Sequence, residues 1–110
     1  MAKHNFGIMS DNPSNKQYDE YEPERYQCIS ICDDYIEPLI PEFYDIPCYW
    51  HTLRRQEKNL AYYGITLIPP ESATLFISVF SQHDEEYYKE LINLFKQAKS
   101  ENKYIIHFGI

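Results

Sequence analysis

DEEYYKELINLFKQAKSENKYIIHFGI, residues 84–110, is the stretch that decides the fold. In its first part Tyr87, Tyr88, Leu91, Ile92, Phe95 and Ala98 recur at helical spacing, which predicts a helix from Asp84 to Ser100 with one apolar stripe turned to a core. The charges suit that direction: Asp84, Glu85 and Glu86 stand at the positive end, Lys96 and Lys99 at the negative end, and Glu85 and Lys89 form a favourable i, i+4 pair. Glu101-Asn102-Lys103 then turns the chain, and Tyr104 to Phe108 reads as a strand held in a sheet.

Working back from this unit, Leu75, Phe76, Val79 and Phe80 sit at i, i+1, i+4 and i+5 behind Pro69-Pro70, so Glu71 to Phe80 is expected to be a second helix, although Ile77 also suits a strand. Leu60 to Ile68 and Cys48 to Leu53 are rich in β-branched and aromatic residues and read as strands joined through the polar run Arg54 to Asn59, with Gly64 as a candidate bulge. Between Asp33 and Pro47 the prolines at 38, 41 and 47 leave room for one helical turn at most, around Tyr35 to Ile40. Arg25 to Cys32 reads as a strand with Tyr26, Cys28, Ser30 and Cys32 on one face and Ile29 and Ile31 on the other. Residues 10 to 24 show neither period, and residues 1–24 are expected to be an irregular N-terminal arm whose tyrosines can anchor it.

The expected architecture is α+β: a small, mainly antiparallel sheet of about four strands with two consecutive helices packed on one face. At 110 residues the chain fits a single domain, and 44% apolar and 16% aromatic content place it well away from disordered chains. No apolar run is long enough for a bilayer or an export signal, and three cysteines, an odd number, suit reduced thiols, so a cytoplasmic protein with no membrane partner is expected.

Charge is the strongest pointer to function. The first 50 residues hold ten acids and three bases, net −7, and the remaining 60 hold seven of each, so the whole net charge of −7 sits in the first half. Residues 18 to 45 alone carry nine carboxylates, five tyrosines and one base, Arg25. Such a field repels nucleic acid and anionic lipid and steers a basic partner inward, while the plainer reading of the same residues is a solubilising surface. Tyrosine and tryptophan are favoured interface anchors, and carboxylates beside them pair with Lys or Arg. Tyr21, Asp33, Asp34, Tyr35, Glu37 and Trp50 are therefore the candidate partner-binding residues, with Asp33 to Glu37 expected near the aromatic strand Cys48 to Leu53.

Chemistry-bearing sets are weaker. Cys28, Cys32, Cys48 and His51 match the ligand types of a zinc site, but Ile29-Ser30-Ile31 favours an extended strand that holds Cys28 and Cys32 about 13 Å apart. Cys48 and His51 as nucleophile and base, oriented by Asp33, Asp34 or Asp45, define the alternative of a small thiol- or metal-dependent enzyme, yet i and i+3 on a strand face opposite ways. Asp33-Asp34 with Glu37 lacks the spacing and glycine of a calcium loop. There is no GxGxxG and no P-loop, so no cofactor, metal or catalytic residue is assigned.

Phe95-Lys96-Gln97-Ala98-Lys99-Ser100-Glu101, followed by the apolar terminal strand, resembles the final helix and strand of the barstar family of barnase inhibitors, and Tyr62-Tyr63-Gly64 is similar to a Tyr-Tyr-Gly of its inhibitory region. These ten residues are about a tenth of the chain and carry over no functional position. The expected function is a small, bacterial-type acidic binding protein without enzymatic activity, possible partners being basic proteins met in an immunity or antitoxin role. A homo-oligomer joined through exposed tyrosines is a third possibility.

Overall fold

The computed structural model describes residues 2–83 and 85–110, with the side chain of Glu85 outside the description. The acidic cap expected of Asp84 and Glu85, and the Glu85–Lys89 pair, lie outside the described residues. Among the described residues six strands form one antiparallel sheet in the order β2-β1-β6-β5-β3-β4. They are β1 (Lys3–Ile8), β2 (Ile29–Cys32), β3 (Pro47–Trp50), β4 (Gln56–Lys58), β5 (Ile65–Ile68) and β6 (Ile105–Phe108). Three helices accompany them: the single turn α1 (Asp33–Ile36), then α2 (Ala73–Ser81) and α3 (Glu85–Glu101). 3-10 turns occupy Pro23–Tyr26, Glu37–Phe43 and Pro70–Ser72.

The α+β class stands, but the sheet has six strands rather than about four. One addition comes from the expected arm. In Lys3–Ile8 only alternate residues face the helices, and one of them is a histidine, so the apolar period is disguised; His4 and Phe6 are nonetheless fully buried. The other is β4, three polar residues at the rim of the sheet, where charge guards an unpaired edge against further pairing. The strand expected from Arg25 begins only at Ile29, because Pro23 opens a 3-10 turn that closes on Gln27 in the left-handed region, at φ 51°.

Alternation along the strands divides the core. Ile68 and Ile105 join Phe6, Phe43, Phe76, Phe80 and Phe95 in a larger cluster that includes Tyr88, Leu91, Ile92 and Ala98 of α3. Ile65, Leu67, Ile106 and Phe108 point the other way and are covered by Tyr18, Tyr26, Cys28, Tyr49, Leu53 and Tyr104. The irregular segment 10–22 thus supplies a tyrosine to a core, as its composition foreshadowed. In the larger cluster Phe43 meets Phe76 at 4.9 Å and Phe76 meets Phe95 at 5.3 Å, tilted geometries that aromatic quadrupoles favour. Tyr87, expected in the buried stripe of α3, instead turns outward and stacks on Tyr35 at 4.7 Å.

Gly64 is no bulge; a side chain there would meet the imidazole of His51, whose Nε2 lies 2.5 Å from the position of a Cβ. Among the described residues no helix is long and apolar enough to cross a membrane.

Candidate functional site

Register brings four sequence-distant polar residues onto one line. Thr66 on β5 is the Cα partner of His107 on β6, His107 is the partner of Phe6 on β1, and His4 lies two residues before Phe6 on the same face. Asp33 follows β2 directly, its amide bonded to Ala2 O at 3.0 Å, so its side chain reaches His4 from the sheet edge. The contacts run in series: Thr66 Oγ1 to His107 Nδ1 3.1 Å, His107 Nε2 to His4 Nδ1 2.9 Å, and His4 Nε2 to Asp33 Oδ1 2.7 Å. Tyr62 closes the outer end, its hydroxyl donating to Asp33 Oδ2 at 2.6 Å. The amide of Ala61 closes the inner end, donating to Thr66 Oγ1 at 2.8 Å.

One assignment of protons satisfies every atom. A carboxylate only accepts, so His4 Nε2 carries a hydrogen; neutral His4 then accepts at Nδ1 from His107 Nε2–H, and His107 Nδ1 accepts from the Thr66 hydroxyl. The direction is uniform from Ala61 to Asp33. Burial pushes His107 well below the ordinary histidine range, and His4 beside it lowers it further. Burial also lowers His4, against the pull of Asp33, so both rings are neutral at pH 7. No buried side-chain nitrogen or oxygen among the described residues lacks a partner.

Asp33 is the charged member. Its side chain is 15% exposed, and burial alone would raise its pKa, but the hydrogen bonds from Tyr62 and His4 outweigh this and hold it below the usual carboxylate range. The same bond to Asp33 pushes the Tyr62 phenol far up, with burial and the charges of Asp33 and Glu37 adding to it. Among the described residues no lysine or arginine pairs with Asp33; its oxygens are met by neutral donors alone.

Of the residues singled out by sequence, Asp33, Asp34, Tyr35 and Glu37 come together on α1 and the turn after it, the last three exposed. Tyr21 is 48% exposed; its ring lies 5.6 Å from Phe108 and its hydroxyl donates to Tyr63 O. Trp50 stands apart. The expected closeness of Asp33 to Glu37 and the strand from Cys48 does not hold, because β1, β6 and β5 lie between β2 and β3. Trp50 is the Cα partner of Thr66, donates its indole N–H to Asn59 O and is covered by the guanidinium of Arg55 at 5.2 Å. His4, His107, Thr66 and Tyr62 were not among the sequence candidates; their signal is a histidine embedded in each of two otherwise apolar strand patterns.

The cysteines and His51 do not converge. Cys48 is fully buried in the larger core, and burial pushes its thiol far up. Cys28 packs in the other core and is raised to about 11, mainly by burial. His51, at φ 65°, spends both ring nitrogens on structure: Nδ1 lies 3.0 Å from Tyr18 O and from Asp19 Oδ1, and Nε2 accepts from the amide of Ile65 at 3.4 Å. No group of three His, Cys, Asp or Glu among the described residues is arranged to hold a metal. A groove of about 550 Å³ lined by Met9, Asp11, Lys16, Tyr18, Arg25 and Tyr26 lies past the far end of β1 from Asp33. No known protein family, curated protein or solved structure matches the chain.

Proposed function

We propose that this chain is a protein-binding module that uses the acidic, tyrosine-rich surface around Asp33 to engage a basic protein, in the manner of an immunity or antitoxin factor. The observation that carries the reading is the Asp33 carboxylate, shielded and ionised, with no lysine or arginine among the described residues paired to it. The hydrogen bonds from His4 and Tyr62 keep this carboxylate ionised and in place, so a partner's cation meets a ready-made acceptor on binding. Exposed Asp34 and Glu37 flank it, and Tyr35 with Tyr87 offers a stacked aromatic pair beside it. The charge imbalance of the first 50 residues supplies the steering field.

The test is capture from a source lysate at low and high salt, with the wild type beside the triple variant Asp33→Asn, Asp34→Asn, Glu37→Gln. A basic protein retained by the wild type at low salt and lost both at high salt and with the variant is the expected result. The same set of proteins retained by both forms would sink the reading.

A further inference from the structure

We infer that Asp33 is the receptor for the guanidinium of an arginine carried by the partner protein. This arginine site rests on the reading of the acidic surface as a partner interface and names the side chain that interface takes. Two features of the site select arginine over lysine, and a third places its source in another molecule.

The first is geometry. Oδ1 is held by His4 at 2.7 Å and Oδ2 by Tyr62 at 2.6 Å, so each carboxylate oxygen is fixed by one donor. Each oxygen retains one unused lone pair. Two fixed, parallel acceptors match the fork of a guanidinium, which donates two N–H groups at once, whereas an ammonium is a point charge with no preference for a fixed pair.

The second is shielding. With the Asp33 side chain 15% exposed, an incoming cation sheds most of its water on that side. Guanidinium is more weakly hydrated than ammonium and gives up that water at less cost. Tyr62 and the 77% exposed Tyr63 stand edge to face, centroids 4.9 Å apart, and present aromatic surface on which a planar cation can lie. Glu37, whose charge acts on the Tyr62 phenol, adds a second carboxylate at the rim.

The third is that the chain's own arginines are engaged elsewhere. There are three. Arg25 pairs with Glu22, Arg54 donates to Asn15 O, and Arg55 pairs with Glu57 while covering Trp50. A guanidinium at Asp33 therefore comes from another molecule.

Two nine-residue probes of equal charge, oligoarginine and oligolysine, separate this claim from the broader one. Binding is followed by NMR, through backbone amides and through the ring N–H proton of His4, which touches Asp33 and nothing exposed. Arginine specificity requires the oligoarginine to bind about five-fold tighter than the oligolysine, to shift the His4 proton, and to lose its advantage in Asp33→Asn. Equal affinities, both weakened by Asp33→Asn, overturn the arginine claim and leave the acidic interface standing. Probe binding that is unaffected by Asp33→Asn overturns both. Should Asp33→Asn fail to fold, the wild type decides: a His4 proton moved by oligoarginine and not by oligolysine supports the site, and one moved by neither or by both overturns it.

Discussion

His4 Nδ1 and His107 Nε2 meet at 2.9 Å with neither residue exposed to solvent, so two imidazoles from opposite ends of the sequence share one hydrogen bond inside the sheet's helical face. The tautomer in which His4 donates to Asp33 is set through that contact, while Tyr62 holds the other carboxylate oxygen directly. A proton added to either ring reverses at least one donor in the series, which is why acid is the natural probe of the structure.

Stability falls with acid from near neutrality. A histidine whose folded pKa lies below the unfolded value near 6.5 contributes stability that is fully present above that value and declines as pH drops, since the unfolded chain takes up a proton that the folded one refuses. His107 alone gives a slope of about 1.4 kcal/mol per pH unit below pH 6.5, and His4 adds to it until its own folded pKa is reached. Asp33, whose pKa is depressed, adds stability that is lost only at lower pH, below the ordinary carboxylate value near 4. Urea midpoints at pH 7.5, 6.5 and 5.5 measure the first phase, and a flat profile over that range would contradict neutral burial of the pair.

Thr66→Val keeps the shape of the side chain but strands the amide of Ala61 and His107 Nδ1. A loss of about 1–3 kcal/mol is expected from the unsatisfied groups. Thr66→Ser, which keeps the hydroxyl and deletes one buried methyl, costs about 1 kcal/mol. Chemical denaturation of both variants checks the order, and a Val variant as stable as Ser removes the hydroxyl from the account.

Tyr62→Phe removes one of the two donors that hold Asp33 ionised. The Asp33 pKa then rises, because burial is opposed by His4 alone. An NMR titration of the Asp33 carboxyl carbon reads the shift directly; an unchanged midpoint would show that the phenol does not support the charge.

Cys48 resists modification in the native protein. Its sulfur is buried among apolar side chains and its thiolate is strongly disfavoured. Alkylation at pH 7 followed by peptide mapping is expected to label Cys48 only after unfolding; rapid native labelling would revive a reactive-thiol centre.

His51→Ala loosens the segment before Tyr21 by removing the imidazole's contacts with Tyr18 O and Asp19, while the backbone bond from Tyr18 N to His51 O remains. Limited proteolysis should then cut within residues 10–22 sooner than in the wild type, with a stability loss of about 1 kcal/mol. Equal cutting rates would assign the anchoring to Tyr18 packing and to the bonds from Tyr18 N to His51 O and from Arg54 to Asn15 O.

The helical unit was legible because α3 keeps its apolar period over most of its length, Tyr87 excepted, with β6 a short apolar run behind it, and Phe76 and Phe80 settle α2 against the single contrary signal of Ile77. The sheet was less so. β1 carries a buried histidine where a core residue belongs, and β4 is wholly polar because it lies at an edge. Local composition does not reveal either, since the first depends on a hydrogen-bond partner 103 residues away and the second on having only one neighbour. Asp33, Asp34, Tyr35 and Glu37 were singled out by charge and aromatic clustering, whereas the donors that meet Asp33, His4 and Tyr62, lie in segments remote in sequence. Trp50 was misplaced for the same reason: its distance from Asp33 is set by β1, β6 and β5 inserting between their strands.

The pairing of β1 with β6 also sets the order in which the molecule is completed. The strand at residues 3–8 is made first but sits beside one made about a hundred residues later, so the centre of the sheet closes only when β6 exists. Until then β1 has a single flank in β2, and the aromatic core that Phe6 and Phe95 share stays open. Such long-range closure is slow, and the half-built sheet presents bare strand edges to whatever else is in solution. The interval between synthesis of β1 and capture by β6 is when this protein is most exposed to misassembly.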